Sequence, residues 1–237
     1  MNISLNGGII IIGSLFWDED ERRVNWRNNF LNIENLITIK VPIRYGRLSS
    51  ERENTYSMVF SSDCLKNELN GNALFVPFNK NPINYENLEI ELTEIIKAER
   101  KRDKLNNYRN NWDWGTLGIL INPKSIIESS EKHKQIEFLL SNWKKKYSEG
   151  FTYFEYKVDN ELPIINEFGI FNFKWPQNLQ DYDFLIATAT KPNIKNYPDY
   201  RQIADLMLEK DYTEYFLKNV QSGISTFQDE QIFKIIK

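Results

Sequence analysis

Apolar residues in the first part of the chain fall into short runs that predict strands. Ile9–Ile12 is a continuous β-branched run, preceded by Gly7-Gly8 and followed by Gly13-Ser14. Such a run predicts a central strand that is buried on both faces and ends in a turn. Further apolar runs predict strands at Leu36–Val41, Thr55–Phe60 and Ala73–Phe78.

The next apolar pattern predicts a helix over residues 87–103. Leu88, Leu92, Ile95 and Ile96 recur at spacings of three and four, which places them on one stripe of a helix. That stripe is the face that a helix buries against its neighbours. We therefore expect this helix to pack on the predicted strands.

The order of these elements indicates the fold class. Another strand is predicted at Thr116–Ile121, so the first 125 residues combine several strands with one inserted helix. Strands and helices do not alternate regularly, which argues against a doubly wound sheet. We predict an α+β fold with a mixed, mostly antiparallel sheet or a partly closed barrel, and a core formed by residues 1–125.

Residues 126–237 follow a different, helix-rich pattern. Helices are predicted at Glu131–Tyr147, closed by Gly150, at Pro198–Glu209, at Tyr212–Val220 and in a last short segment; strands are predicted at Phe151–Val158, Gly169–Phe173 and Tyr182–Thr190. We expect this segment to be an α+β extension that packs on the core. Its many aromatic residues leave a protein partner on this surface possible, although such residues more often fill a core.

Composition and charge limit the classes of function that the chain can have. The formal net charge is −3, so the chain has no positive field to gather nucleic acid phosphates. No apolar run approaches the length of a membrane span, and the N-terminal run is shorter than a signal-peptide core. The single cysteine, Cys64, excludes an internal disulfide. We predict a cytoplasmic protein that binds neither nucleic acid nor membrane.

The residue inventory excludes several kinds of catalytic site. His133 is the single histidine and lies in a polar run, so a Ser-His-Asp or Cys-His arrangement has one poor candidate base. One histidine and one cysteine cannot supply a usual zinc ligand set, and we predict no metal and no cofactor. Residues 8–14 match the glycine spacing of a phosphate-binding loop but lack its lysine. The backbone after Gly13-Ser14 could still form a nest of N–H groups for an anion, although an ordinary turn explains the same pattern.

Glu99 is the most informative residue in the sequence. It lies four residues after Ile95 and three after Ile96, where the apolar stripe of the predicted helix would continue. A carboxylate in that position loses water, which raises its pKa and suits it to exchange protons near neutral pH. Alternatively, the stripe ends earlier and Glu99 pairs with Arg102.

Several of these motifs resemble the γ-glutamyl cyclotransferase family. Gly13-Ser14-Leu15 followed by Trp17 is similar to that family's Tyr-Gly-Ser-Leu-x-x-Trp signature at the end of its first strand. Gly71-x-Ala73 at the start of a strand and a helix that ends in Ala98-Glu99-Arg100 are similar in order to the family's later elements. The resemblance covers roughly residues 8–121 and does not extend to the rest of the chain.

The resemblance implies a reaction and roles for named residues. The substrate would be a γ-glutamyl or similar amino-acid-like small molecule, whose α-amino group attacks its own γ-carbonyl to release 5-oxoproline and an amine. Glu99 would be the general acid and base, and the backbone of Gly13, Ser14 and Leu15 would hold the anionic end of the glutamyl group. Arg47, in a polar stretch that predicts a loop, is a second candidate for binding a carboxylate, with a solvated loop cation as the alternative.

A non-catalytic protein on the same fold is a second hypothesis. Ile12 stands where the family usually has tyrosine, and residues 126–237 have no counterpart in the resemblance. A binding or regulatory protein that lost the reaction would explain both features. A glycosidase with two carboxylates is a weaker alternative, because the separation of the carboxylates in space cannot be derived from one sequence.

Overall fold

The computed structural model of the protein describes residues 3–101, 111–147 and 151–237. These residues form a mixed α+β fold. The strands are β1 (Gly7–Ile11), β2 (Ile37–Val41), β3 (Ile43–Ser49), β4 (Thr55–Phe60), β5 (Gly71–Pro77), β6 (Asn111–Trp112), β7 (Gly115–Ile121) and β8 (Phe184–Thr190). The α-helices are α1 (Glu21–Phe30), α2 (Ser62–Lys66), α3 (Tyr85–Arg100), α4 (Pro123–Glu128), α5 (Ser130–Lys144), α6 (Tyr200–Glu209), α7 (Glu214–Gln221) and α8 (Asp229–Ile236).

Six strands form the main sheet, in the order β2-β5-β1-β8-β7-β6. β1 and β8 are parallel, whereas every other neighbouring pair is antiparallel. β3 and β4 form a separate antiparallel hairpin. This arrangement confirms the predicted mixed, mostly antiparallel sheet, and the described strands do not close into a barrel.

The strand at Gly7–Ile11 lies in the middle of the sheet, as its β-branched run predicts. All five of its residues are buried, and β5 and β8 flank it. β8 comes from the helix-rich second half of the chain, yet it pairs with both β1 and β7. Residues on either side of position 125 therefore share one sheet and one apolar core.

α3 confirms the predicted amphipathic helix. Leu88, Leu92, Ile95 and Ile96 are all buried. The helix ends where Lys101 adopts a left-handed conformation, with φ at 49°. Arg102, the alternative partner of Glu99, lies outside the described residues, as does Gly150, which was predicted to close the helix at Glu131–Tyr147.

The polar stretch with Arg47 is a strand rather than the predicted loop. Ile43–Ser49 pairs with β4, and the register shifts by one residue between Tyr45 and Arg47. Gly46 permits this bulge, because a Cβ atom there would lie 2.4 Å from Val59 Cγ2. The bulge interrupts the alternation of polar and apolar residues that is typical of a strand, so the sequence of this segment resembles that of a loop.

Two predicted strands in the second half of the chain are wrong. Residues 151–158 contain a short 3-10 helix, Tyr153–Glu155, and no strand. Residues 169–173 make only isolated bridges, from Ile170 to Ile119 and from Phe171 to Ile165. Their aromatic side chains, which suggested strands, instead pack on one another and on the core.

No helix in the described ranges is both long enough and apolar enough to cross a bilayer. Two aromatic residues of the second half, Tyr215 and Phe216, are buried in the core. They are therefore not available to line a surface for a partner.

Candidate functional site

The sequence-predicted site residues line one cavity of about 510 Å³. Its wall includes all five of them: Gly13, Ser14, Leu15, Arg47 and Glu99. A cavity of this size lies within the range of small-molecule binding pockets. Residues from the turn after β1, the end of α3 and the β3–β4 hairpin thus surround one space.

The turn after β1 forms a backbone cradle, which we define as residues 13–15. The carbonyls of Gly13 and Ser14 accept hydrogen bonds from Phe16, Trp17 and Asp18, which closes a tight turn. Within the described part of the chain, the N–H groups of Gly13, Ser14 and Leu15 donate no hydrogen bond. Ser14 and Leu15 are buried, so bulk water does not readily replace the missing acceptor. Such a set of unpaired N–H groups suits an anion.

α7 holds the cradle in place. Trp17 Nε1 donates to Asn219 Oδ1 at 2.7 Å, and the Trp17 ring contacts Tyr215 edge to face. Tyr215 lies so close to the cradle that a Cβ atom on Gly13 would be 2.7 Å from its hydroxyl oxygen. A larger residue at position 13 would therefore force the Tyr215 side chain or the turn to shift.

Glu99 is shielded from water at the end of α3. Only 9% of its side-chain surface is exposed. Burial raises the pKa of Glu99 above its ordinary value, although Arg23, Thr188 and Arg52 act in the opposite direction. The residue thus has the property that its place on the apolar stripe predicts. It can be protonated and deprotonated closer to neutral pH than an exposed glutamate.

Arg23 connects Glu99 to the cradle, and sequence reasoning missed it. Its Nε donates to the carbonyl of Ala98, and its Nη1 donates to Ser14 Oγ at 2.9 Å. Nη2 lies 3.9 Å from Glu99 Oε2, while Nη1 also pairs with Asp18 at 2.8 Å. One buried guanidinium therefore fixes the end of α3 relative to the turn after β1.

The sequence does contain a signal for the helix that carries Arg23. It lies on α1, whose Asp20 side chain caps the helix N-terminus by accepting from the N–H of Arg22. An aspartate followed by a glutamate is a common start of a helix. However, the buried residues of α1 are Arg23, Trp26 and Arg27. Because arginine usually lies on the exposed face of a helix, the hydrophobic pattern does not predict that this face is buried.

Thr188 provides an unused polar group in the cavity. It lies on β8 beside Glu99, and only 7% of its surface is exposed. Its hydroxyl has no hydrogen-bond partner of normal geometry among the described residues. A buried hydroxyl without a partner is costly, so this atom is suited to a ligand or to a reoriented Glu99.

Two further arginines complete the polar wall. Arg52 donates from Nη2 to Ser14 Oγ at 2.8 Å, and its guanidinium stacks over Tyr215 at 4.4 Å. Arg47 donates from Nη1 to the carbonyl of Lys191 at 2.8 Å. Because Ser14 Oγ accepts from both Arg23 and Arg52, its own proton remains to be donated.

Other candidate groups lie away from the cavity. His133, on α5, contacts Glu137 and the carbonyl of Ile126 and does not line the cavity. In the ranges that the structure describes, no cluster of three or more His, Cys, Asp or Glu side chains could hold a metal ion. The cavity therefore brings together a shielded carboxyl group, backbone N–H groups and arginines, which are groups suited to proton transfer and to anion binding.

Comparison of the chain with protein families, curated proteins and solved structures finds no match. Its resemblance to the γ-glutamyl cyclotransferases accordingly rests on short motifs. The structure places residues of two of these motifs, Gly13-Ser14-Leu15 and Glu99, in the wall of the same cavity.

Proposed function

We propose that this protein converts γ-glutamyl compounds to 5-oxoproline and a free amine, with Glu99 as general acid and base. One observation carries the proposal: a shielded carboxyl group lines the same cavity as an unpaired backbone cradle. The reaction needs these two elements, a base for the attacking amine and an anchor for the anionic end of the glutamyl group. The short motifs that resemble the γ-glutamyl cyclotransferases add support.

Glu99 begins the reaction by taking a proton from the substrate's α-ammonium group. The freed lone pair on nitrogen attacks the γ-carbonyl carbon, a new C–N bond forms, and the carbonyl electrons move to oxygen. When this intermediate collapses, the bond to the leaving nitrogen breaks and that nitrogen takes the proton from Glu99. The attacking nitrogen also loses a second proton, which ends on the released ammonium, so no water is consumed.

The rest of the site orients the substrate for this ring closure. Since attack is intramolecular, much of the rate enhancement comes from holding the amine close to the γ-carbonyl. The N–H groups of Gly13, Ser14 and Leu15 bind the α-carboxylate of the glutamyl group, and the Ser14 hydroxyl donates to it. Arg23 positions Glu99 relative to this cradle through its contacts with Ser14 and Ala98.

A direct assay tests the proposal. The purified protein is incubated with γ-glutamylglycine, γ-glutamylmethylamine and glutathione, and 5-oxoproline and the released amine are quantified by mass spectrometry. We expect the two products in equal amounts from at least one substrate. Absence of 5-oxoproline from all three would refute the proposed reaction.

A binding protein on the same fold is the second candidate. Ile12 lines the cavity where the resembling enzymes usually present a tyrosine, so one polar contact to the substrate is missing. If the protein binds a γ-glutamyl compound in calorimetry but forms no 5-oxoproline, this candidate replaces the enzyme. For such a binding protein, we expect a protein partner to bind through residues 126–237.

We also propose a cytoplasmic location. Its support is the single cysteine of the chain, Cys64, which is buried and free. Burial raises the pKa of its thiol to about 12, which keeps it unreactive. Staining of an epitope-tagged copy together with a cytoplasmic marker tests this, and a tag found only in another compartment would contradict it.

A further inference from the structure

Thr188 on β8 is a buried polar side chain in the cavity wall. Only 7% of its surface is exposed, and its hydroxyl has no hydrogen-bond partner of normal geometry within residues 3–101, 111–147 and 151–237. A buried hydroxyl without a partner is costly, whereas valine would fill nearly the same space without that cost. An interaction made during the reaction would explain why a threonine lies here.

The main sheet fixes the position of Thr188. The residue pairs with Leu117 of β7, and the residue before it, Ala187, pairs with Ile10 of β1. Since the cradle follows β1 directly, Thr188 lies beside the strand end that carries the cradle. Threonine is branched at Cβ and has few side-chain orientations in a strand, so its hydroxyl is held in place.

Thr188 is one of several groups that face Glu99. Burial raises the pKa of Glu99, and Arg23 from α1, Thr188 from β8 and Arg52 from the β3–β4 hairpin lower it. Glu51, in the same hairpin, acts in the opposite direction to these three. Among the groups that favour the ionised form, Thr188 is the one without a charge, and it acts as a hydrogen-bond donor at short range.

Arg23 does not take the place of this donor. Its Nη2 lies 3.9 Å from Glu99 Oε2, which is too long for a hydrogen bond. Its Nε and Nη1 donate instead to the carbonyl of Ala98, to Ser14 and to Asp18. Arg23 therefore supplies a nearby positive charge, and a short directional contact to the carboxyl group has to come from another residue.

A hydroxyl group suits a carboxyl group that changes its protonation state. It donates to an ionised carboxylate, and it accepts from a protonated carboxyl group. In the proposed reaction Glu99 passes through both states. One hydroxyl can therefore stay bonded to Glu99 while the proton is taken up and returned.

We infer that Thr188 is a positioning residue for Glu99, whose hydroxyl donates a hydrogen bond to the ionised carboxyl group and holds it towards the cradle. This inference rests on the proposed function and deepens it. Thr188 acts through Glu99 and makes no contact with the substrate. Its removal should thus change the ionisation of Glu99 and leave substrate affinity nearly unchanged.

The pH dependence of kcat/KM for γ-glutamylglycine tests this role. Thr188→Val removes the donor, so Glu99 should need a higher pH to ionise. We expect the acid limb to move up by about one pH unit, which lowers kcat/KM about tenfold on the acid side, as for loss of a hydrogen bond to a charged group. Thr188→Ser keeps the hydroxyl and should restore the wild-type limb.

A matched variant separates this effect from a general effect of the substitution. Thr38→Val makes the same change at an exposed position of β2 outside the cavity and should leave the profile unchanged. A wild-type acid limb in Thr188→Val would overturn the inference. A raised KM with an unmoved limb would also overturn it, because Thr188 would then bind the substrate directly.

Direct titration of Glu99 distinguishes failure of this inference from failure of the reaction. NMR follows the carboxyl carbons in protein labelled with carbon-13 glutamate, and the signal absent from Glu99→Gln is that of Glu99. A pKa about one unit higher in Thr188→Val, with no 5-oxoproline formed by the wild type, would retain the contact and reject the reaction. An unchanged Glu99 titration would overturn the inference even in an active enzyme.

Discussion

Arg23 and Glu99 face each other inside the protein, with 3.9 Å between Nη2 and Oε2. The guanidinium group counteracts the effect of burial on the carboxyl group without cancelling it, so the pKa of Glu99 stays raised. The same arginine donates to Ser14 in the cradle. Arg23 therefore contacts both the proposed base and the proposed substrate anchor.

Removing the carboxyl group of Glu99 should abolish most activity without unfolding the protein. Glu99→Gln keeps the shape of the side chain but can neither accept nor return a proton in this pH range. We expect kcat to fall by at least about 100-fold, the usual size of a general acid-base contribution. Glu94→Gln, on the same helix but outside the cavity, is the matched control and should retain wild-type kcat. Full activity of Glu99→Gln would show that another group is the base.

The pH dependence of kcat/KM should report the environment of Glu99. The base acts in its ionised form, so activity rises with pH through its pKa, which burial moves above the ordinary 4.5. Arg23 favours the ionised form, and Arg23→Gln should therefore move this acid limb to higher pH. An acid limb at the same pH in Arg23→Gln and wild type would argue against electrostatic coupling between the two residues.

Close packing at the cradle predicts a suppressor pair. Gly13→Ala adds a Cβ atom that would lie 2.7 Å from the Tyr215 hydroxyl oxygen, so the turn or the Tyr215 side chain must shift. A displacement of this kind should lower kcat/KM by roughly tenfold to a hundredfold. Tyr215→Phe removes the clashing atom, and the double variant should be more active than Gly13→Ala alone. A double variant no better than the single one would refute this explanation.

Glu91 should make the protein less stable as pH rises. It is buried, its Oε2 has no hydrogen-bond partner among the described residues, and burial raises its pKa from 4.5 to about 8. Between these pH values the unfolded chain is ionised and the folded protein is protonated, so the free energy of unfolding decreases with increasing pH. Glu91→Gln removes this dependence and should stabilise the protein at pH 8 by at least about 1 kcal/mol.

Urea denaturation at pH 4.5 and at pH 8 measures this effect. Glu86→Gln is the control, since Glu86 is an exposed glutamate on the same helix. An equal pH dependence in wild type and Glu91→Gln would assign the effect to other groups.

Local sequence patterns predict those strands and helices in which the buried positions follow a simple pattern along the chain. β1 was found from four consecutive isoleucines and α3 from a stripe at spacings of three and four, and Glu99 was identified because it continues that stripe. α1 was missed because it buries two arginines, which a hydrophobic period does not register. β3 was missed because the bulge at Gly46 interrupts the alternation.

The same distinction applies to the site. The cradle and Glu99 each have a local signature, so sequence reasoning could identify them. Arg23, Arg52 and Thr188 join the cavity only through contacts between segments distant in the chain. No spacing rule within one segment predicts such contacts.

Isotope labelling tests the central claim most directly, because it distinguishes ring closure from hydrolysis. The protein is incubated with γ-glutamylglycine in water enriched in oxygen-18, and the products are analysed by mass spectrometry. We predict 5-oxoproline without oxygen-18, together with an equal amount of glycine, since the attacking atom is the substrate's own nitrogen. Labelled glutamate as the product, or an unchanged substrate, would contradict the account of Glu99 and the cradle as a cyclising site.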